Sequence, residues 1–103
     1  MQVIYVTCPD IEIARLISRD VLEKKLAACT NILPQMESHY IWEGNYSQDK
    51  EVVLLIKTVE HNYSPVEKRV LALHPSKVPC VISWKVAHGS REYLKWISAS
   101  SRP

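Results

Sequence analysis

Ala27–Thr58, AACTNILPQMESHYIWEGNYSQDKEVVLLIKT, reads as one long hairpin that decides the fold. Its second arm, Glu51 to Thr58, sets Val52, Leu54 and Ile56 on one face and Val53 and Leu55 on the other, so both faces of that strand are apolar. A chain of 103 residues can cover one such face with its own helices. The other is expected to meet a partner subunit. The first arm, Ala27 to Trp42, would run about 50 Å at ~3.3 Å per residue, with Pro34 forcing a bulge or bend because it cannot donate to the ladder. An arm of that length overhangs a domain whose radius of gyration is about 13 Å. It needs a neighbour to lie on.

The flanking segments supply the remaining elements. Gln2 to Cys8 is apolar on both faces and predicts a second central strand, ended by Pro9. Asp10 then caps a helix whose apolar positions, Ile13, Leu16, Ile17, Val21 and Leu22, recur at helical spacing and carry it to about Leu26. After the hairpin turn, placed within Glu43 to Asp49 with Gly44 as its permissive residue, Ser64, Pro65 and Glu67 read as a capping box for a second helix closed by Pro75. Val78 to Ala87 predicts a fourth strand, at an edge because Ser83 and Lys85 interrupt it. Arg91 to Ser98 predicts a short last helix.

The order βαββαβ plus a terminal helix has a known packed solution, the α+β ferredoxin-like split βαβ fold, over one domain spanning residues 1–103. Right-handed crossovers put strands one and three in its centre. Those are the two strands with two apolar faces. Because both main helices lie on one side of such a sheet, its other side is expected to join further subunits, with Tyr40 and Trp42 as boundary residues beyond the reach of their own helices.

Composition narrows the function. A formal charge of +2 argues neither for nucleic acid nor for an anionic membrane, and there is no apolar run of membrane-spanning length. The chain lacks phenylalanine and any basic-glycine-aromatic signature of an RNA platform. The N-terminal MQVIYVTCPD carries no export pattern, and Cys8, Cys29 and Cys80 lack CxxC spacing; the reading is three reduced, buried thiols in a reducing compartment. No nucleophile with base and orienter, and no pair of acids, marks an enzyme. No single element carries a set of metal ligands, so Cys29, His39, His74 and His88 would have to converge from separate elements or subunits. Cys29, Lys57 and Glu51 are expected near one another on the paired hairpin arms, in a structural role.

TCPD, EKKLAACTNILP, SHYIWEG, IKT, HPSKVP and YLKWI, in this order and spacing, resemble the CutA divalent-cation-tolerance family over nearly the whole chain. The resemblance implies a cytoplasmic homotrimer assembled like the PII signalling proteins and linked to tolerance of copper and other divalent metal ions, with a PII-like sensor of a small metabolite or protein partner as the alternative. Where the family usually reads HPYEVPE, this chain has HPSKVPC, which removes an aromatic and two carboxylates. Positions suggested as copper ligands in one bacterial branch are Val6 and Leu73 here, and neither can ligate. Cys29 and His74 are the remaining candidates for a metal.

Overall fold

The computed structural model describes residues 1–103. β1 (Gln2–Cys8), α1 (Ile11–Glu23), β2 (Cys29–Trp42), β3 (Asn45–Thr58), α2 (Tyr63–Leu73), β4 (Val81–Lys85) and α3 (Arg91–Ser100) follow one another, with a single 3-10 turn, Glu60–Asn62, before α2. The strands form one antiparallel sheet in the order β2-β3-β1-β4, the ferredoxin-like arrangement with the first and third strands central. Ile4, Val6 and Cys8 of β1 and Val52, Leu54 and Ile56 of β3 face Ala14, Ile17 and Val21 of α1 and Val66 and Val70 of α2 in one apolar core. Arg69 of α2 ties the two helices by a two-pronged bond to Asp20 of α1, at 2.8 and 3.0 Å.

Both hairpin arms are 14 residues long, so the second begins at Asn45 rather than at Glu51. The reason is the turn. Glu43 and Gly44, at φ 50° and 81°, form a two-residue connection with both residues left-handed, which matches strand twist and lets pairing start at once with Trp42 opposite Asn45. The polar run Asn45 to Lys50 is therefore strand, although its side chains give no apolar alternation. The hairpin overhangs as expected: the molecule measures 45 × 26 × 21 Å, and its radius of gyration is 14.3 Å.

Pro34 marks a bulge. Leu33 lies opposite Val53 and Met36 opposite Glu51, so Pro34 and Gln35 together face the single residue Val52, with Gln35 at φ 66°. The extra residue switches the pleat. Before it, Cys29, Asn31 and Leu33 share the face of the sheet opposite α1 and α2, helix-free except where Tyr93 of α3 meets Lys57; after it, Met36, Ser38, Tyr40 and Trp42 do, and the Tyr5 hydroxyl on that face reaches Met36 Sδ at 3.5 Å.

Other expectations need correction. α1 stops at Glu23, before Leu26, because Lys25 turns left-handed and the Leu26 and Lys25 amides bond back to Val21 and Leu22, closing the helix in a Schellman motif. Ser64 caps nothing: α2 starts one residue before it, led in by the 3-10 turn, and Glu67 accepts from the Tyr63 hydroxyl at 2.8 Å instead. β4 is confined to Val81–Lys85, and α3 continues to Ser100. Of the three free thiols only Cys8 is buried; Cys29 is half-buried and Cys80 exposed.

A buried polar knot closes the far end of the sheet. Asn62 donates to the carbonyls of Leu26 and Ser101, at 3.0 and 2.8 Å, and the Thr58 hydroxyl donates to Leu26 O at 2.6 Å. Those bonds anchor the end of α3 to the start of the hairpin, with Ile97 fully buried.

Candidate functional site

β1 ends at Cys8, whereas β3 continues past it for seven residues toward the turn, so the overhanging hairpin has no strand beside it there. The loop after α2 fills part of that place. The Thr7 amide donates to Cys80 O at 3.4 Å, and His74 Nε2 donates to Thr7 O at 2.7 Å. Between loop and hairpin lies a cavity of about 390 Å³ lined by Thr7 of β1, Tyr40 and Trp42 of β2, Asp49 and Glu51 of β3, and the loop from His74 to Cys80. That volume falls in the range of small-molecule sites.

The lining is placed by the pleat. Asp49 and Glu51 lie two apart on β3 and share the helix-free face with Tyr40 and Trp42 because the bulge has moved even-numbered residues of β2 onto it. The Tyr40 hydroxyl donates to Asp49 across the diagonal of the ladder. This bond to a carboxylate pushes the Tyr40 phenol above its usual pKa, with the charges of Asp49 and Glu51 adding to it. Burial, followed by Asp10 and Glu51, pushes the Cys8 thiol up to about 11. Neither Asp49 nor Glu51 forms an ion pair. Lys77, on the loop, is the one cation in the lining.

Three of the four residues singled out in the sequence, Tyr40, Trp42 and His74, line this cavity. Cys29 does not. It starts β2 opposite Lys57, which pairs in turn with Val3, whereas His74 bonds to Thr7, four residues along β1 and two strands across. Along the strand alone that is about 13 Å. A single chain therefore does not bring Cys29 and His74 together, and no group of three or more His, Cys, Asp or Glu side chains converges as metal ligands. Both ring nitrogens of His74 are engaged, since Nδ1 accepts from the Ser76 amide at 3.1 Å. The ring is thereby held as the Nε2–H tautomer and pins the loop to β1.

Glu51 also stands apart from Cys29 and Lys57, six residues up β3. Lys57 instead donates to the Tyr93 hydroxyl at 3.2 Å and lies 5.5 Å from that ring's centre. The residues sequence reasoning missed in the cavity are Thr7 and Asp49, together with the place of Glu51, Lys77 and Cys80 in it. Extending β3 back to the turn would have revealed the carboxylates, since Asp49 then falls diagonal to Tyr40.

A larger and shallower groove, about 870 Å³, runs along α1 beside β2 over Ile13, Leu16, Leu22 and Ile32. Its polar residues, including Arg15 paired with Glu12 and Arg19 with Glu23, satisfy one another on the helix surface.

Residues 2–100 match the family model of the CutA1 divalent ion tolerance protein. The chain belongs to the CutA1 family. It is 43% identical over 96 residues to the divalent-cation tolerance protein CutA of Thermus thermophilus, covering 93% of both chains. It is 44% identical to the CutA homolog of Xenopus laevis over 90% of this chain but only 62% of that longer protein. The solved Thermus thermophilus Cut A1 structure superposes with a TM-score of 0.95 at 41% identity, covering 99% of this chain and all of that one. CutA1 from Oryza sativa superposes equally well, at 40% identity over 98% of this chain and 93% of that one.

Proposed function

We propose that this chain works as a homotrimeric divalent-cation-tolerance protein, in the cytoplasm, that acts by binding. The observation that carries the assembly is the helix-free face of the sheet. There Leu33, Tyr40, Trp42, Ile82 and Trp84 are each 39–55% exposed, although they stand beside the central strands of the fold. Together they present roughly 400 Å² of apolar surface, at the limit of what a monomer leaves open. Burying it contributes on the order of 10 kcal/mol at about 25 cal/mol per Å². Tyr40 and Trp42, on the overhang, are the residues assigned to the subunit boundary. Sedimentation equilibrium tests this: a trimer at micromolar concentration is expected, and a folded monomer would defeat the proposal.

Divalent-cation tolerance comes from the name of the Thermus thermophilus relative. If copper is held directly, Cys29 and His74 must meet across a boundary, and His74 must release the Ser76 amide to offer a lone pair. A copper titration of the wild type against a Cys29→Ser, His74→Ala double variant checks that ligand set; equal affinities would remove it. A second reading, a PII-like sensor of a small molecule, is favoured by the cavity beneath the overhang, whose aromatic and charged lining is not consumed by internal ion pairs.

A further inference from the structure

We infer that Glu51 of each subunit pairs with Lys57 of the next, so that the copies join head to tail around a ring. The inference rests on the trimer reading and adds the contact that fixes its geometry. Register puts only three charged strand residues on the sheet face opposite α1 and α2: Asp49, Glu51 and Lys57, all on β3. The two acids lie toward the overhang and the base toward the far end, with the apolar Val53 and Leu55 between them. Glu51 and Lys57 are both half-buried, and neither forms an ion pair within the chain. Lys57 has only the neutral Tyr93 hydroxyl and ring beside it. A charge partly withdrawn from water costs free energy, which an opposite charge at the same place recovers.

The chain cannot close this pair on itself. Six residues of one extended strand separate Glu51 from Lys57, about 20 Å, which is beyond the reach of the two side chains. A second copy can close it. In a three-membered ring every contact is head to tail, one patch meeting a different patch, and a face with acids at one end and a base at the other has that complementarity. The same contact answers the shape of the molecule. β1 ends opposite Val52, so Glu51 begins the overhang that needs a neighbour to lie on. Tyr40 and Trp42 frame the acid end; Tyr93 frames the base end, its ring 5.9 Å from that of Trp96, which is 48% exposed. Seating one end on the other buries aromatic surface around the ion pair, excludes water and strengthens the attraction. Cys29, opposite Lys57 on the ladder, is carried by this contact toward the neighbour's Glu51.

Sedimentation equilibrium of charge-reversed variants, with circular dichroism as the check on folding, tests the pairing. Glu51→Lys and Lys57→Glu should each raise the concentration at which the assembly half-dissociates by about tenfold or more, because each sets like charge against like at every boundary. The variant carrying both reversals in one chain should return to within about threefold of the wild type, since opposite charges again meet across every boundary while staying far apart within the chain. Single variants as tightly assembled as the wild type, or penalties that simply add in the double variant, would overturn the pairing and leave the trimer standing. A wild type that sediments as a folded monomer would overturn both. If a single reversal unfolds the subunit, Glu51→Gln and Lys57→Met give the same cycle without a repulsive charge: the second substitution should weaken assembly far less once the first is made, and independent losses would overturn the pairing.

Discussion

The two faces of the sheet are built from the same strands and have opposite fates. On one face Ile4, Val6, Leu54 and Ile56 are fully buried beneath α1 and α2. On the other, Tyr5, Leu55, Ile82 and Trp84 alternate with them residue by residue, and the chain has only the short α3 left to offer. The difference teaches that burial here follows topology rather than composition. Right-handed crossovers send both main helices to one side, whatever the hydrophobicity of the other. The covered face holds the core of the chain, and the other keeps large apolar side chains such as Ile82 and Trp84 exposed.

The largest effect should come from the covered face. Leu54→Ala empties a fully buried position between β1, β2 and α1, and a loss of about 3–4 kcal/mol is expected from lost transfer energy and the cavity left behind. Urea titration followed by circular dichroism reads it. A loss below about 1 kcal/mol would mean the covered face is not the core of the subunit.

On the uncovered face, Trp42→Ala should do the reverse, shifting assembly toward smaller species while the circular-dichroism spectrum of the subunit persists. The comparison breaks if this variant remains fully assembled, or if it unfolds outright, because Trp42 would then belong to no boundary or to an interior.

Two titrations sharpen the contrast in the covered layer. Cys8, buried beneath the helices, has a thiol pushed from an ordinary value of 9.0 up to about 11. The unfolded thiol ionises first, so stability should be intact below pH 9 and fall as pH rises toward 11. Cys8→Ala should flatten that slope in alkaline denaturation. Asp20 works in the other direction: the Arg69 guanidinium holds its carboxyl below the usual 3.8, so its contribution is present above about pH 4 and lost as pH falls further. In Arg69→Met the acid limb of the stability curve should be shallower below pH 4.

The smallest effect belongs to the overhang. Gly44, at φ 81°, faces open space, so Gly44→Ala meets no clash and costs only the left-handed backbone strain, about 1 kcal/mol. Thermal melts should detect a shift of a few degrees. A neutral substitution would indicate that the turn can adopt another form.

How far the sequence could be read depended on whether a signal was local. Short runs apolar on both faces, Gln2–Cys8 and Glu51–Thr58, marked both central strands, and Asp10 accepts from the Ile13 amide at 2.9 Å as a cap should. Pro34 announced the bulge because a proline has no N–H to give the ladder. The polar stretch Asn45 to Lys50 defeated the same reasoning: as an overhanging strand, it has no core to impose alternation. Ser64, Pro65 and Glu67 satisfied every local rule for a helix start, yet the Asn62 side chain is drawn into the buried knot with Leu26 and Ser101, and the helix begins from there.

The sequence by itself determined the order of elements, the two central strands, the apolar character of both sheet faces and the family. These are properties of short windows, where side-chain period and backbone chemistry act over a few residues. Only the tertiary structure decided that Cys29 and His74 lie at different ends of β1, that His74 spends both nitrogens on the backbone, and that Asp49 and Glu51 join Tyr40, Trp42 and Lys77 around one cavity. Those outcomes depend on strand register, a one-residue bulge and the path of a loop. Each is settled by packing among segments far apart in the chain, and no single stretch of sequence contains it.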